Sequence, residues 1–269
     1  MFTTLRNAWK IPELRKKLLF TLFVIILFRV GNAVPVPYVN VEALAQYFSL
    51  NLSNTVLGLY NAMSGSAFSQ ATLFALSIQP YINASIIIEL LTIAIPALER
   101  MAKEEGEEGK KKLSKITRYT TVALGLLLGY AYYMMLSNYN LLSQTGFLPG
   151  LVVVLSFAAG ASLVMWLGEQ ITQYGIGNGI SVILFAGIVS RVPSMIVSMV
   201  NGTVKWYVSI LLVLGMLLLI AFIVFVTNAE RRIPIQYAKR VVGRKVYGGQ
   251  NTHLPIKVNM SGVLPIIFA

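Results

Sequence analysis

Cysteine and aspartate are both missing from this chain, and histidine occurs once, as His253. The first absence excludes disulfides and thiolate metal sites and leaves the redox compartment open. A single histidine forms no multi-histidine cluster, so no bound metal is expected. Missing aspartate removes the paired acids that intramembrane proteolysis uses. No serine sits in a nucleophile-elbow pattern, and no GxxxxGKS phosphate loop occurs. "GIGNG" (175–179) is glycine-rich, yet it joins two apolar runs rather than a strand to a helix, which argues against phosphate binding there. The chain is expected to have no catalytic residues, no cofactor and no enzymatic activity.

Charge is scarce as well. Only 12% of the 269 residues are charged and 56% are hydrophobic, whereas a soluble domain carries about a quarter charged residues. Apolar runs occupy Leu18–Val34, Leu76–Ile95, Ile116–Leu136, Leu151–Ile171, Ile180–Val200 and Val208–Val226. Each is close to the length that crosses a bilayer, about 20 residues. A seventh starts near Val258. The chain reads as an all-α polytopic membrane protein. Its basic start, Met1–Lys17, precedes a run too long for a cleavable leader, and no small-residue cleavage pattern follows.

The net charge of +12 is unevenly placed. All but three of the 22 Lys and Arg fall in the N-terminal arm, after the second span or after the sixth. The exceptions are Arg29, Arg191 and Lys205. The positive-inside rule makes these three segments and the N-terminus cytoplasmic. "WKIPELRKKLL" (9–19) reads as an amphipathic helix on the interface with Pro12 in its first turn. Attraction to anionic lipid accounts for its charges. Two prolines break the first span, and an external loop over 38–63 holds a short helix near Val41–Phe48. The mixed-charge stretch 99–115 reads as a solvated turn. Gly175, Gly177 and Gly179 permit a tight turn with positive φ. "RRIPIQYA" (231–238) alternates at period two and reads as a strand; "RVVGRKVY" (240–247) is either its partner or the tip. This basic hairpin suits a polyanion such as ribosomal RNA, with arginines aimed at phosphates. Attraction to anionic lipid is the competing reading.

Arg29 and Glu89 read as the ionisable residues inside spans, a position that marks candidate function. Arg29 lies near the outer end of its span and can snorkel to the interface. Glu89 either finds a polar neighbour or marks the midplane site of a secondary transporter, a class that also uses broken helices. A sharper feature is "GSAFSQATLF" (65–74), weakly polar and directly followed by an apolar span, with Pro80 near the change. As a helix, Ser64–Phe74 would be ~16 Å long, half a bilayer. It is either an external helix capping the spans or a re-entrant piece, tolerated only where protein or water surrounds it.

Four stretches carry a resemblance. "GSAFSQATLFALSIQPYINASIIIELL", "MWLGEQITQYGIGNGIS", "RRIPIQYAKRVVGR" and "THLPIKVNMSGVLPIIFA" resemble, in that order, the SecY family, pore subunits of the bacterial protein-conducting channel. The similarity runs from about Leu14 to Ala269. It implies a fold of ten spans in two pseudo-symmetric halves, of which this sequence holds the first half, the sixth span and the start of the seventh. The expected division is a cytoplasmic arm (1–17), a first transmembrane half (18–200) with a plug at 64–74, and the remainder (201–269) with a basic loop at 228–254. The implied function is passage of unfolded polypeptide across the bacterial plasma (inner) membrane, with transmembrane segments released sideways into lipid.

The same resemblance assigns residues. The family's plug maps onto Gly65, Ser66, Ala67, Phe68, Ser69, Gln70, Ala71, Thr72, Leu73 and Phe74. Its pore ring maps onto Ile78, Ile82, Ile180, Leu184 and Ile267, with isoleucine usual where Leu184 stands. Its lateral gate maps onto Asn83, Ile86, Ile87, Leu90 and Leu264. Arg231, Arg232, Lys239, Arg240, Arg244 and Lys245 match the loop that docks the SecA motor or a translating ribosome. SecE, SecG, the unfolded or nascent polypeptide and membrane lipids are the other implied partners. Spacing is compatible with the ring: Ile78 and Ile82, like Ile180 and Leu184, share a helix face. A narrow apolar constriction also excludes water and ions by dewetting.

Overall fold

A computed structural model describes residues 9–52, 55–200, 206–235, 240–242, 245–247 and 252–258. They belong to two compact units, Met1–Ser194 and Met195–Ala269. In the first, helix α1 spans Pro12–Gly31 with Pro12 at its start, where a missing N–H costs nothing. No breaker follows before Gly31. The expected interfacial arm and first span are therefore one helix from Pro12 onward, and it ends short of Val34. Helix α2 (Val41–Tyr47) is the expected short helix, started by the Asn40 side chain, which accepts from the Ala43 N–H. It runs on into a wider π-type turn over Phe48–Leu52, and α3 follows at Val56–Met63.

Helix α4 (Gln79–Ala94) carries the second span. It begins at Gln79 rather than Leu76 because Ser77 is left-handed (φ 48°) and Ile78 is the cap. At Pro96 the chain bends by 104° into α5 (Pro96–Lys103). Ile95 is extended there, as the residue before proline prefers. Helix α6 then runs Gly106–Asn138. The stretch 99–115, expected as a turn, is thus helical apart from Glu104 and Glu105. Its opposite charges pair along and between the helices, Lys103 Nζ with Glu99 Oε1 and Lys112 Nζ with Glu105 Oε2, both at 2.7 Å.

With 33 residues, α6 is ~50 Å long, well beyond a hydrocarbon core of ~30 Å, so its charged first turns stand clear of the apolar part. Helix α7 (Phe147–Tyr174) returns beside it. Small residues let the two approach, Gly125 of α6 packing on Ala158 and Ala161 of α7. Helix α8 (Gly179–Val189) is capped by the Asn178 side chain, and α9 spans Val192–Val200. Of the three glycines expected at positive φ, Gly177 alone adopts it, at 72°. Among the described residues, Gly106–Asn138, Phe147–Tyr174, Gly179–Val197 and Tyr207–Asn228 are long and apolar enough to cross a membrane, and α4 with α5 passes as a bent pair. Helix α1 is uncharged only from Leu18 to Phe28, between Lys17 and Arg29.

The second unit holds α10 (Trp206–Asn228), apolar on every face, with nothing of its most apolar window buried. Strand β1 (Glu230–Ile235) pairs antiparallel with β4 (Thr252–Lys257), from Glu230 opposite Lys257 to Ile235 opposite Thr252. Strands β2 (Arg240–Val242) and β3 (Lys245–Tyr247) pair with each other. The stretch 240–247 is accordingly the tip and not the partner. The expected seventh span lies outside the described residues beyond Val258.

Candidate functional site: the seat of residues 64–78

The chain between α3 and α4 is not the half-length helix expected over 64–74. It passes through successive turns, with left-handed backbone at Gly65, Ser66, Ala71 and Ser77. Competing hydrogen bonds explain the difference. The Phe68 N–H donates to Ser64 Oγ (3.2 Å) and the Ser69 N–H to Asn61 Oδ1 (2.9 Å). The strand-like chain after Gly31 takes the rest: the Val36 N–H donates to the Ala71 carbonyl (3.0 Å) and the Leu73 N–H to the Val34 carbonyl (2.9 Å), making a bridge between Pro35 and Thr72. A helix would have to give up these partners.

Side chains of this segment enter two clusters. In the aromatic one, Phe68 stacks on Tyr132 (centroids 4.4 Å) and meets Tyr60 and Phe48 edge-on at 5.2 and 6.0 Å. Tyr132 donates its hydroxyl to the Phe68 carbonyl and Tyr60 donates to the Leu76 carbonyl (3.0 Å). Burial raises the Tyr60 phenol pKa above its ordinary value. The second cluster is mainly aliphatic: Ile78 and Phe74 are buried with Val24, Phe28, Val164, Leu167, Ile171 and Ile183. Between the clusters the backbone lies hard against α7. A Cβ on Gly160 would stand 1.8 Å from the Leu73 carbonyl oxygen, so no other residue fits there without movement.

The aliphatic cluster brings together Ile78, Ile82, Ile180 and Leu184. The Ile82 N–H donates to the Ile78 carbonyl (3.1 Å), so the expected i,i+4 relation is formed. Their surroundings differ. Ile78 is 1% exposed and packs against Gly168, while Ile82, Ile180 and Leu184 keep part of their surface free. Ile267 lies outside the described residues. Asn83, Ile86, Ile87 and Leu90 form one partly to fully exposed stripe on α4; Leu264 is again outside. In the second unit Arg231 and Arg232 are exposed on β1 and, being consecutive on a strand, point to opposite faces. Arg240 and Lys245 sit on β2 and β3, and Lys239 and Arg244 fall outside the described residues.

One charged residue inside a span was missed. Glu169 of α7, only 15% exposed in its side chain, accepts from Arg118 Nε of α6 at 2.8 Å. Beside them a cavity of about 280 Å³ also meets Tyr81 and Ile180. Its signal was available in principle: the start of one span and the end of the next, joined by a short loop, lie at the same level, so a base at 118 and an acid at 169 are natural partners. Glu89, by contrast, is exposed, and its neighbours Ile86, Ile87 and Leu90 are apolar. No polar transporter-like site gathers around it among the described residues.

Residues 72–269 match the family model SecY. The chain belongs to the SecY family. Protein translocase subunit SecY of Streptomyces scabiei is 43% identical over 286 residues, covering 100% of this chain and 64% of its own length. The chain thus spans a little under two thirds of this SecY relative. Two solved structures share the fold at 18% identity. One is described as the plug domain of SecY stabilising the closed state of the translocation channel and maintaining a membrane seal (TM-score 0.59, 93% of this chain and 56% of that one). The other is Sec61 in the canine ribosome–channel complex from the endoplasmic reticulum (TM-score 0.56, 85% and 53%). The mainly helical, multi-pass membrane reading stands.

Proposed function

We propose that this SecY-family chain is part of a protein-conducting channel that carries unfolded polypeptide across a membrane and releases apolar segments sideways into lipid. The observation that carries it is the seat of residues 64–78. An irregular, hydroxyl-rich segment sits among spans at the point where partly buried Ile82, Ile180 and Leu184 converge. Such a piece of backbone is tolerable inside a membrane only against protein or a water-filled cavity. In this reading residues 65–74 are the plug, Ile82, Ile180 and Leu184 with Ile267 form the constriction, and Ile78 braces it from behind. Asn83, Ile86, Ile87, Leu90 and Leu264 border the lateral gate. Nothing in this machine calls for catalytic groups, so energy comes from a partner. Arg231, Arg232, Lys239, Arg240, Arg244 and Lys245 dock a SecA motor or a ribosome, and SecE and SecG complete the channel. The membrane is the bacterial inner membrane, with the N-terminus cytoplasmic.

Ile82→Asn and Ile180→Asn in the complete protein test this. A polar group at a dewetted constriction favours the wet, open state, so export of a preprotein with a defective signal sequence should rise at matched channel abundance. A photocrosslinker at position 82 should label a stalled translocating chain. Signal dependence unchanged together with crosslinks to lipid would reject the assignment.

A further inference from the structure

We infer that a cavity among the end of α1, the turns at 65–70 and the α8–α9 junction binds an oxyanion of the phosphate type. It has a volume of about 370 Å³, and two guanidinium groups from separate elements, Arg29 and Arg191, line it. No acidic residue lines it, and neither arginine has an ion pair among the described residues. Arg29 is exposed and Arg191 partly buried, so both guanidiniums have N–H donors free for an anion in this space. A second observation points the same way. Asn32, also in the wall, is 7% exposed, yet among the described residues neither its amide nitrogen nor its oxygen has a hydrogen-bond partner. A buried amide without partners is costly. An oxyanion accepts from its Nδ2 and from both guanidiniums, and a phosphate hydroxyl or a water satisfies its Oδ1.

Two of the three serine hydroxyls in the wall are already committed as donors, and Ser66 Oγ is the third. Ser190 Oγ donates to the Gly187 carbonyl (2.6 Å) and Ser194 Oγ to the Arg191 carbonyl (2.8 Å). Recognition therefore falls to the arginines, Asn32, the Gln70 amide and the Ser66 hydroxyl, and arginine suits a tetrahedral oxyanion through paired N–H donors. Val30 and Val34, which follow Arg29 and Ala33 in the chain, are 57% and 48% exposed. A lipid phosphate can thus occupy the cavity with its chains along this apolar surface, while inorganic phosphate enters from water. Either bridges α1 and α8–α9 to the 65–70 turns. The inference does not depend on the channel reading.

Two arms separate the sources, both on the complete protein. Inorganic phosphate is titrated into phosphate-free detergent solution and binding read by calorimetry. In parallel, retention of phosphatidylglycerol, against diacylglycerol as the phosphate-free control, is counted by native mass spectrometry. At least one phosphate source should bind the native protein, and about tenfold more weakly to Arg29→Gln and to Arg191→Gln, which lose charge-assisted bonds. Arg191→Lys should recover part of the affinity. Phosphate binding alone assigns a soluble anion, and phosphatidylglycerol retention alone assigns a lipid headgroup. If Arg29→Gln fails to fold, Arg191→Gln decides by itself. No binding in either arm, or binding unchanged in Arg191→Gln, would overturn the proposal.

Discussion

The two clusters that receive residues 64–78 differ in kind. Around Phe68 four rings interlock, and hydroxyls of Tyr132 and Tyr60 reach back to carbonyls of the segment itself. Around Ile78 the side chains are mainly aliphatic, no hydroxyl of the cluster bonds to the segment among the described residues, and Ile82, Ile180 and Leu184 are among the members that keep free surface. The first arrangement is directional, which suits an anchor. The second is adaptable and incomplete, which suits a surface completed by something else. One short segment therefore couples a rigid attachment to an unfinished apolar wall.

Breaking the anchor should produce the largest effects. Phe68→Ala removes the ring that the other three share and should cost about 3–5 kcal/mol, seen as a lower unfolding midpoint in detergent. Gly160→Ala follows. The new Cβ meets the Leu73 carbonyl, and overpacking of this kind costs about 1–3 kcal/mol, toward the upper end because backbone must yield. Its signature is faster proteolysis near residue 73 with the other spans still protected. Tyr132→Phe keeps the ring and deletes one hydroxyl, leaving the Phe68 carbonyl with the Ala71 N–H alone (3.2 Å), for about 1–1.5 kcal/mol. Hydrogen exchange at the Phe68–Thr72 amides should report it. Ile82→Ala, on the unfinished wall, should cost the least, about 1 kcal/mol, because part of the side chain is exposed already. If Ile82→Ala proved as damaging as Phe68→Ala, the distinction between anchor and wall would fail.

Legibility in the sequence followed regularity rather than burial. Helices α6, α7 and α10 announce themselves by long apolar runs, and their ends match the reading within a few residues outside the charged turns. Strand β1 was visible in its alternation. The turns at 64–78 were not, because their conformation is dictated by partners far away in sequence: Tyr132, the chain at 34–36 and Gly160. A pattern read along 64–74 sees only hydroxyls and small residues and offers a short helix. Strand β4 was not among the expected strands, although Leu254 and Ile256 alternate about Pro255 as Ile233 and Ile235 do about Pro234 in β1. Glu169 was overlooked because it reads as a lone polar residue until α6 is laid beside α7. The coarse family assignment needed none of these details; the site geometry needed all of them.

In the proposed channel, residues 65–74 are expected to leave their seat when polypeptide passes. The chain has no cysteine, so a pair introduced as Pro35→Cys and Thr72→Cys, opposite each other in the bridge, would be the sole source of a disulfide in it. Preprotein translocation by the complete protein should stop when this pair is oxidised and return when it is reduced, with each single variant unaffected. Translocation at the same rate in the oxidised and reduced states would contradict the account.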